Sequence, residues 1–494
     1  MTVSSLSRAA TIAALMALPA FGQNLNAISR VRVDKFPGAI PPTNNYAGVW
    51  GVVGSDGKEY AAVPARTGTI FYDCTNPSAP VEKAFIPGPL PSGSTGYFWR
   101  EANGYKGDYI YLSSEHGALQ CVSMLTPATP ALIGSFGGSA HTVTVDEGAK
   151  KLWASGGSYN GCGVFDLALS LTNPPRITNG GFSSPYVHDC YVLRGYGYFA
   201  QIFNGNFQIR NVATTVVNPP ILSTTTTPGA FTHNVWTTDD DTIAVTADEN
   251  QGGCLTVYDI SNKAAPIKKS TWCSPGGATV HNVFIKERIA HFSSYTDGYW
   301  AIDISDPTTP VAIAHYDTTS EVGSDYRGCW GCYPYQPSGM IYLTDMQTGF
   351  WIVEPTAGVP LSYGAGSAGT GGFVPRVEHA GGPFKVGNTN FKFTAQNLRG
   401  GASCALVLGV GRATTPLLGV NLLVDLAQPY VVLSATASGT SGTGGAGSIS
   451  IPVGIPNNPA FAMQKFDAQV LAIDPGSTGG FLSASPGWEA KIAP

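Results

Sequence analysis

Charged side chains are scarce, with Asp, Glu, Lys and Arg making up 12% of the 494 residues, against about 25% in an average soluble chain. Helices draw on Glu, Lys, Arg and Ala, so this shortage excludes an architecture of long helices. Basic residues number 27 against 32 acidic ones, a net charge of −5, and no Lys/Arg run occurs. That distribution gives no electrostatic grip on nucleic acid or on an anionic membrane surface. Beyond residue 22 no stretch reads as a membrane span: the most apolar, 406–424, is interrupted by Arg412, Pro416 and several Gly. What abounds is 61 Gly and 36 Pro, alongside Thr, Ser, Tyr and Val, the residues of short strands and tight turns. The fold class expected is all-β. At about 150 residues per domain the length holds roughly three domains, or one large β architecture with an appendage.

Residues 1–22 read as a secretory signal peptide: Arg8, an apolar run over 9–19, then small residues Ala20 and Gly22 flanking Phe21 before Gln23. The chain is accordingly expected outside the cytoplasm. All nine Cys follow that point, in a compartment where disulfides persist. An odd number leaves at least one unpaired. Cys254 with Cys273 and Cys162 with Cys190 are sequence-near pairs, while Cys329 and Cys332 form a CxxC outside any βαβ pattern. Spacing does not choose among pairings.

One unit recurs seven times between residues 46 and 360. Its clearest part is an apolar strand ending in an acid or small polar residue, followed by a Pro-bearing turn. These anchors are Asp73, Ser123, Asp166, Asn211, Asp259, Asp303 and Glu354, at steps of 50, 43, 45, 48, 44 and 51 residues. A period of about 47 with several short strands per copy matches a propeller blade. An Asp or Asn at a strand end accepts the N–H groups of the turn, and the following Pro ends the ladder. Upstream lies a second strand (EYAAV, DYIYLSS, KLWASG, YGYFAQ, TIAVTAD, RIAHFSS, MIYLTD), reached through hairpins such as ARTG, SYNG and MQTG. The expectation is a seven-bladed β-propeller over residues 23–363, with AISRVRVDKFP at 27–37 completing the last blade and residues 360–363 as the rival closing strand.

Further upstream, each unit has a large polar or aromatic side chain in register: Trp50, Arg100, His141, His188, His233, His281 and Trp330. The innermost strands of a propeller line its channel, so equivalent residues there form a ring. Four of the eight His would then converge.

The segments WGVVGSDGKEYAAVPARTGTIFYDCTNPSAPV, YFWREANGYKGDYIYLSSEHG, the His-Asn and His-Asp strand starts, and GCWGCYPYQPSGMIYLTDMQTGFWIVEP, spread over about residues 44–356, resemble the choice-of-anchor B family, secreted bacterial relatives of LVIVD-repeat propellers. The resemblance implies a β-propeller exported to the bacterial surface or medium, and no established reaction. This chain has Glu101 where such proteins carry Asp after WR, and Ser123 and Asn211 replace the usual strand-end Asp. Residues 364–372 read as a flexible Gly/Ser linker. Residues 373–494 then offer short apolar strands (FKFTAQNL, CALVLGVG, GVNLLVDL, YVVLSAT, GSISIPV, FDAQVLAID) suited to a small β-sandwich, with seven basic and five acidic side chains and no catalytic cluster.

Two functional readings follow. The first is an extracellular binding module for a protein or glycan, using loops rich in Tyr, Trp and Asn on the propeller top. The second is a metal-dependent hydrolase or oxidoreductase in which His141, His188, His233 and His281 hold a transition metal, with Glu101, Glu115 and Asp189 as supporting carboxylates. The competing structural explanation is that each His bonds neighbouring backbone. Asp239-Asp240-Asp241 is an acidic hairpin open to calcium, and Asp248-Glu249 is a similar acidic turn. No GxSxG, HExxH, Walker or EF-hand motif occurs.

Overall fold

The structure, a computed structural model, describes residues 25–32, 44–94, 96–97 and 99–494. The expected signal peptide at 1–22 lies outside the described residues, as does the end of the proposed closing strand beyond residue 32. Seven four-stranded antiparallel sheets account for the repeat. Their innermost strands are Trp50–Val53, Ala102–Tyr105, Thr142–Asp146, Asp189–Leu193, Thr232–Thr237, Val283–Lys286 and Cys329–Tyr333, here defining sheets one to seven. Each innermost strand contacts that of the sheet before and after it, and Cys329–Tyr333 contacts Trp50–Val53, so the cycle closes. The chain is an all-β propeller.

In the first six sheets the strands follow one another outward in sequence. The seventh takes its outermost strand from the N-terminus: Leu25–Val31 pairs antiparallel with Gly349–Pro355. The rival, residues 361–363, pairs instead with Gly487–Lys491 in the C-terminal region. The propeller strands therefore end at Pro355, short of the expected boundary at 363.

The turn chemistry is visible bond by bond. Asp73, Asp166 and Asp259 each accept the N–H two residues on at 3.0 Å, Asp303 at 2.8 Å, Asn211 at 3.1 Å and the Ser123 hydroxyl at 3.3 Å. Ser123 and Asn211 thus keep the capping role without the acid. Apolar side chains of successive sheets interlock between every neighbouring pair. Tyr72 and Ile70 of sheet one, for example, pack with Tyr342, Phe350 and Ile352 of sheet seven. Each such fully buried side chain contributes roughly 1.5–3 kcal/mol, so the wheel is held by its sheet-to-sheet faces rather than by a single centre.

The C-terminal region forms two larger sheets packed face to face and a two-stranded hairpin, Arg412–Leu417 with Val420–Val424. One is six-stranded and contains Ser403–Gly409, Lys465–Ile473 and Gly487–Lys491; the other holds Arg376–Ala380, Lys392–Leu398 and Gly447–Pro452. Trp488 fills the space between them against Phe384, Phe391 and Phe393. Residues 364–372 are not a free tether, contrary to the composition-based expectation. Ser367 pairs with Ala484, and Thr370 donates its N–H to Asp474 at 2.8 Å. Polar partners within the sandwich hold down a segment that composition alone makes flexible.

The sandwich is also locked to the propeller. Arg288 binds Glu378 at 3.1 Å and Asp240 at 2.5 Å, Arg376 binds Asp239 at 2.7 Å, and His379 binds Asp303 at 2.7 Å. These pairs overturn the calcium reading of 239–241. Asp239 and Asp240 face arginines and Asp241 faces Lys263 at 3.1 Å, so the negative charge is already neutralised.

Of the nine Cys, Cys254 and Cys273 form a disulfide, joining the third and outermost strands of sheet five. The pairing of Cys162 with Cys190 does not occur: the Ser155 hydroxyl sits 3.3 Å from each sulfur. Cys329 and Cys332 are likewise free and buried within the sheet-seven strand.

Candidate functional site

The four His form a continuous stair across sheets three to six. Ring centroids lie 4.0 Å apart for His141–His188 and for His188–His233, 4.3 Å for His233–His281, and 4.4 Å from His281 to Trp330. Local backbone geometry produces this. His233 is the extra residue between the pairs Thr232–Asp248 and Asn234–Ala247, and Trp330 is the extra residue between Cys329–Asp345 and Gly331–Thr344. A bulge of this kind re-aims one side chain out of the pleat.

Two expected ring members lie elsewhere. Arg100 turns away from the axis, donating to the Tyr97 carbonyl at 3.1 Å and to the Pro89 carbonyl. Its neighbour Glu101 takes the inward position, as strand alternation requires, and accepts the Trp330 indole N–H at 2.8 Å. Glu101 reaches past sheet one because Gly48 leaves room; a Cβ there would lie 2.0 Å from a Glu101 carboxylate oxygen. Trp50 belongs to a second, aromatic layer, 5.1 Å from Tyr333 and 6.4 Å from Phe284. Tyr191 and Trp236, stacked at 3.9 Å, continue that layer, and Trp236 lies 4.8 Å from Phe284. Tyr191, Trp236, Phe284 and Tyr333 each stand three residues after a member of the upper ring. Asp189 sits beside the stair and accepts from Asn234 at 2.5 Å, while Asn234 accepts the Val283 N–H at 3.0 Å, tying sheets four, five and six together.

His188 and His281 make backbone bonds and still present a second nitrogen, while His233 Nδ1 is buried without a hydrogen-bond partner. His188 Nδ1 meets the His233 carbonyl at 3.2 Å, and His281 Nδ1 meets the Trp330 carbonyl at 2.6 Å. A carbonyl only accepts, so in the neutral ring Nδ1 carries the proton and Nε2 the lone pair. The same bond orients imidazoles that ligate metals. His281 Nε2 is buried without a hydrogen-bond partner.

The residue the sequence reading undervalued is Glu249. Its carboxylate lies 3.5 Å from His233 Nε2 and 3.8 Å from His281 Nε2, and accepts from the Tyr295 hydroxyl at 2.5 Å. Ligand atoms of His188, His233 and Glu249 all fall within 4.8 Å of one another. Donors about 2.1 Å from one ion are at most about 4.2 Å apart, so sub-ångström side-chain adjustment suffices to close the set. Glu115 is engaged differently, bonding His141 Nδ1 at 2.7 Å and the Tyr97 hydroxyl.

Electrostatics sort these groups. Desolvation, reinforced by neighbouring imidazoles, holds His188 and His233 well below their ordinary value, and desolvation takes His281 to about 3. All three are neutral at pH 7 and free to donate lone pairs. For His141 burial acts downward, but the Glu115 bond and charge outweigh it and raise the imidazole, while the His141 bond lowers Glu115 to about 2. Desolvation pushes Glu249 and Glu101 up to about 7. Above the stair opens a cavity of about 370 Å³ walled by Trp99, Tyr186, Phe203, Phe231 and Tyr326.

LVIVD repeats match residues 246–272 and 295–318. The chain is a propeller repeat protein carrying LVIVD repeats. The matched segments contain Glu249 and Tyr295 and none of the four ring His. No curated protein matches the chain significantly. Among solved structures, the β-propeller domain of Myceliophteria thermophila Cps50 (Swd1) is similar at 8% identity and a TM-score of 0.48, over 67% of this chain and 98% of that one.

Proposed function

We propose that this LVIVD-repeat propeller is an exported binding protein whose ligand pocket is centred on a transition metal held by His188, His233 and Glu249, with His281 as a fourth donor. The observation that carries the reading is the convergence of the His188, His233 and Glu249 donor atoms within 4.8 Å, beside a buried His281 nitrogen that makes no hydrogen bond. Imidazole and carboxylate together suit zinc or ferrous iron. The cavity above the site supplies the recognition surface for an extracellular protein or glycan. Export rests on the Arg8-led apolar segment and small-residue cleavage site at 1–22. The resemblance to choice-of-anchor B proteins supports a secreted or surface location.

The test is metal analysis of secreted protein purified without an affinity tag. About one equivalent of transition metal, lost in His188→Ala and His233→Ala, is expected, with a mature N-terminus at Gln23. Metal-free protein that takes up neither zinc nor iron would refute the assignment. A second reading, a metal-dependent hydrolase or oxidoreductase, is favoured by one feature: two His and one carboxylate leave coordination positions open to water or substrate. Turnover that disappears on metal removal and returns with the metal would decide for it.

A further inference from the structure

The pocket walls restrict what the metal can hold. Among the described lining residues there is no Lys or Arg. Arg100, next to Trp99, is directed at backbone carbonyls, and Arg327, next to Tyr326, is held by Glu321 at 2.9 Å and Asp325 at 2.8 Å. A phosphate, sulfate or polyanionic ligand therefore meets no Lys or Arg, and the raised His141 imidazole is already paired with Glu115. An organic cation fares no better, because Glu115 is paired with His141 and Glu249 faces His233, His281 and Tyr295.

What the walls do offer is flat apolar surface. Phe203 is 72% exposed, Trp99 41% and Tyr326 39%, and Phe203 stands 5.0 Å from Tyr186 with the rings tilted by 44°. Phe203 sits on a short turn, Ile202–Asn204, ended by Gly205 in the left-handed conformation. A Cβ at Gly205 would lie 2.5 Å from the Ala230 carbonyl oxygen, so this glycine fixes the turn that presents the ring. An aromatic face left in solvent at a concave mouth is a stacking platform.

We propose that the pocket takes a neutral ring bearing two adjacent hydroxyls, which chelate the metal while the ring's flat face stacks on Phe203 and Tyr186. The inference rests on the metal reading above. Neutral sugars and catechols share this chemistry. The three donors His188, His233 and Glu249 leave room for one or two oxygens on zinc, a ring with adjacent hydroxyls supplies that pair, and a volume of about 370 Å³ holds one or two such rings.

The experiment uses the full mature chain, tag-free and zinc-loaded, titrated by calorimetry and tryptophan fluorescence with methyl α-mannoside, catechol, the mono-O-methylated catechol and inorganic phosphate. One diol is expected to bind at least ten-fold more tightly than the O-methylated analogue. It should lose at least ten-fold in Phe203→Ala, whose exposed position leaves the thermal midpoint unchanged, and be lost on zinc removal. Binding of mannoside or of catechol identifies the source. Zinc bound one to one with neither diol binding overturns this inference and leaves the metal site standing. Phosphate binding as tightly as the diols, or diol binding unaffected by zinc removal, also overturns it. No zinc uptake at all removes both readings.

Discussion

Replacing Glu249 by Gln separates metal binding from folding because the two should respond with opposite signs. The amide keeps an oxygen to accept the Tyr295 hydroxyl but loses the charge that faces His233 and His281 at 3.5 and 3.8 Å. In metal-free protein the carboxyl is raised from 4.5 to about 7, chiefly by desolvation. At 1.36 kcal/mol per pH unit this is about 3 kcal/mol of destabilisation. The sign follows from linkage: a carboxyl with a raised folded-state value favours the fold while protonated, and that advantage disappears as pH climbs from 4.5 through 7. At pH 8.5, metal-free Glu249→Gln protein should therefore be more stable than wild type by up to about 3 kcal/mol, and the gain should vanish at pH 4. Metal affinity should fall at least about 100-fold, since even outer-shell partners are worth 10–100-fold. Thermal unfolding at the two pH values with chelator present, and zinc competition with a chromophoric chelator, measure both. Unchanged affinity within three-fold, or a loss of stability at pH 8.5 beyond about 1 kcal/mol, would refute the reasoning.

Three further outcomes are expected. Deleting residues 1–32 strips the outermost strand from sheet seven; the bared edge should lower the thermal midpoint and produce oligomers by size-exclusion chromatography, and an unchanged monomer would count against closure by this strand. His379→Gln removes the imidazole that bonds Asp303 inside the propeller–sandwich contact, at a cost of about 3 kcal/mol at pH 6 for a buried pair. Burial acts to lower His379, but Asp303 and the nearby carboxylates outweigh it and raise the value above 6.5, so the stabilisation is complete below pH 6.5 and lost as pH rises through the folded-state value. The variant should be flat over that window in chemical denaturation, and a parallel pH profile for both proteins would sink the point. Reducing Cys254–Cys273, 19 residues apart, should cost about 3 kcal/mol by loop closure, read from denaturation with and without reductant; equal midpoints would show that the crosslink constrains nothing.

The repeat itself was plain in the amino-acid order because each copy must solve the same local problem. Strand-end Asp, Asn or Ser caps a turn two residues ahead, and Pro then stops the ladder, so Asp73, Asn211 and Asp259 mark the period without any long-range contact. The same regularity put His141, His188, His233 and His281 at equivalent places before their proximity could be measured. Which members of the ring face one another was another matter. Alternation chose Glu101 over Arg100, and bulges re-aimed His233 and Trp330, effects of single residues that a 47-residue period averages out.

Glu249 and the sandwich contact lay further still from view. Glu249 sits in a hairpin after the second strand of sheet five, beside His233 of the adjoining strand, and meets His281 only through the packing of sheet six on sheet five, while Arg288 and Glu378 are 90 residues apart in sequence. Local preference set the strands, the turns and the inventory of imidazoles. Ring closure and the docking of the sandwich, which depend on how apolar faces and opposite charges from distant segments fit together, settled which of those groups share a pocket and which carboxylates are already neutralised.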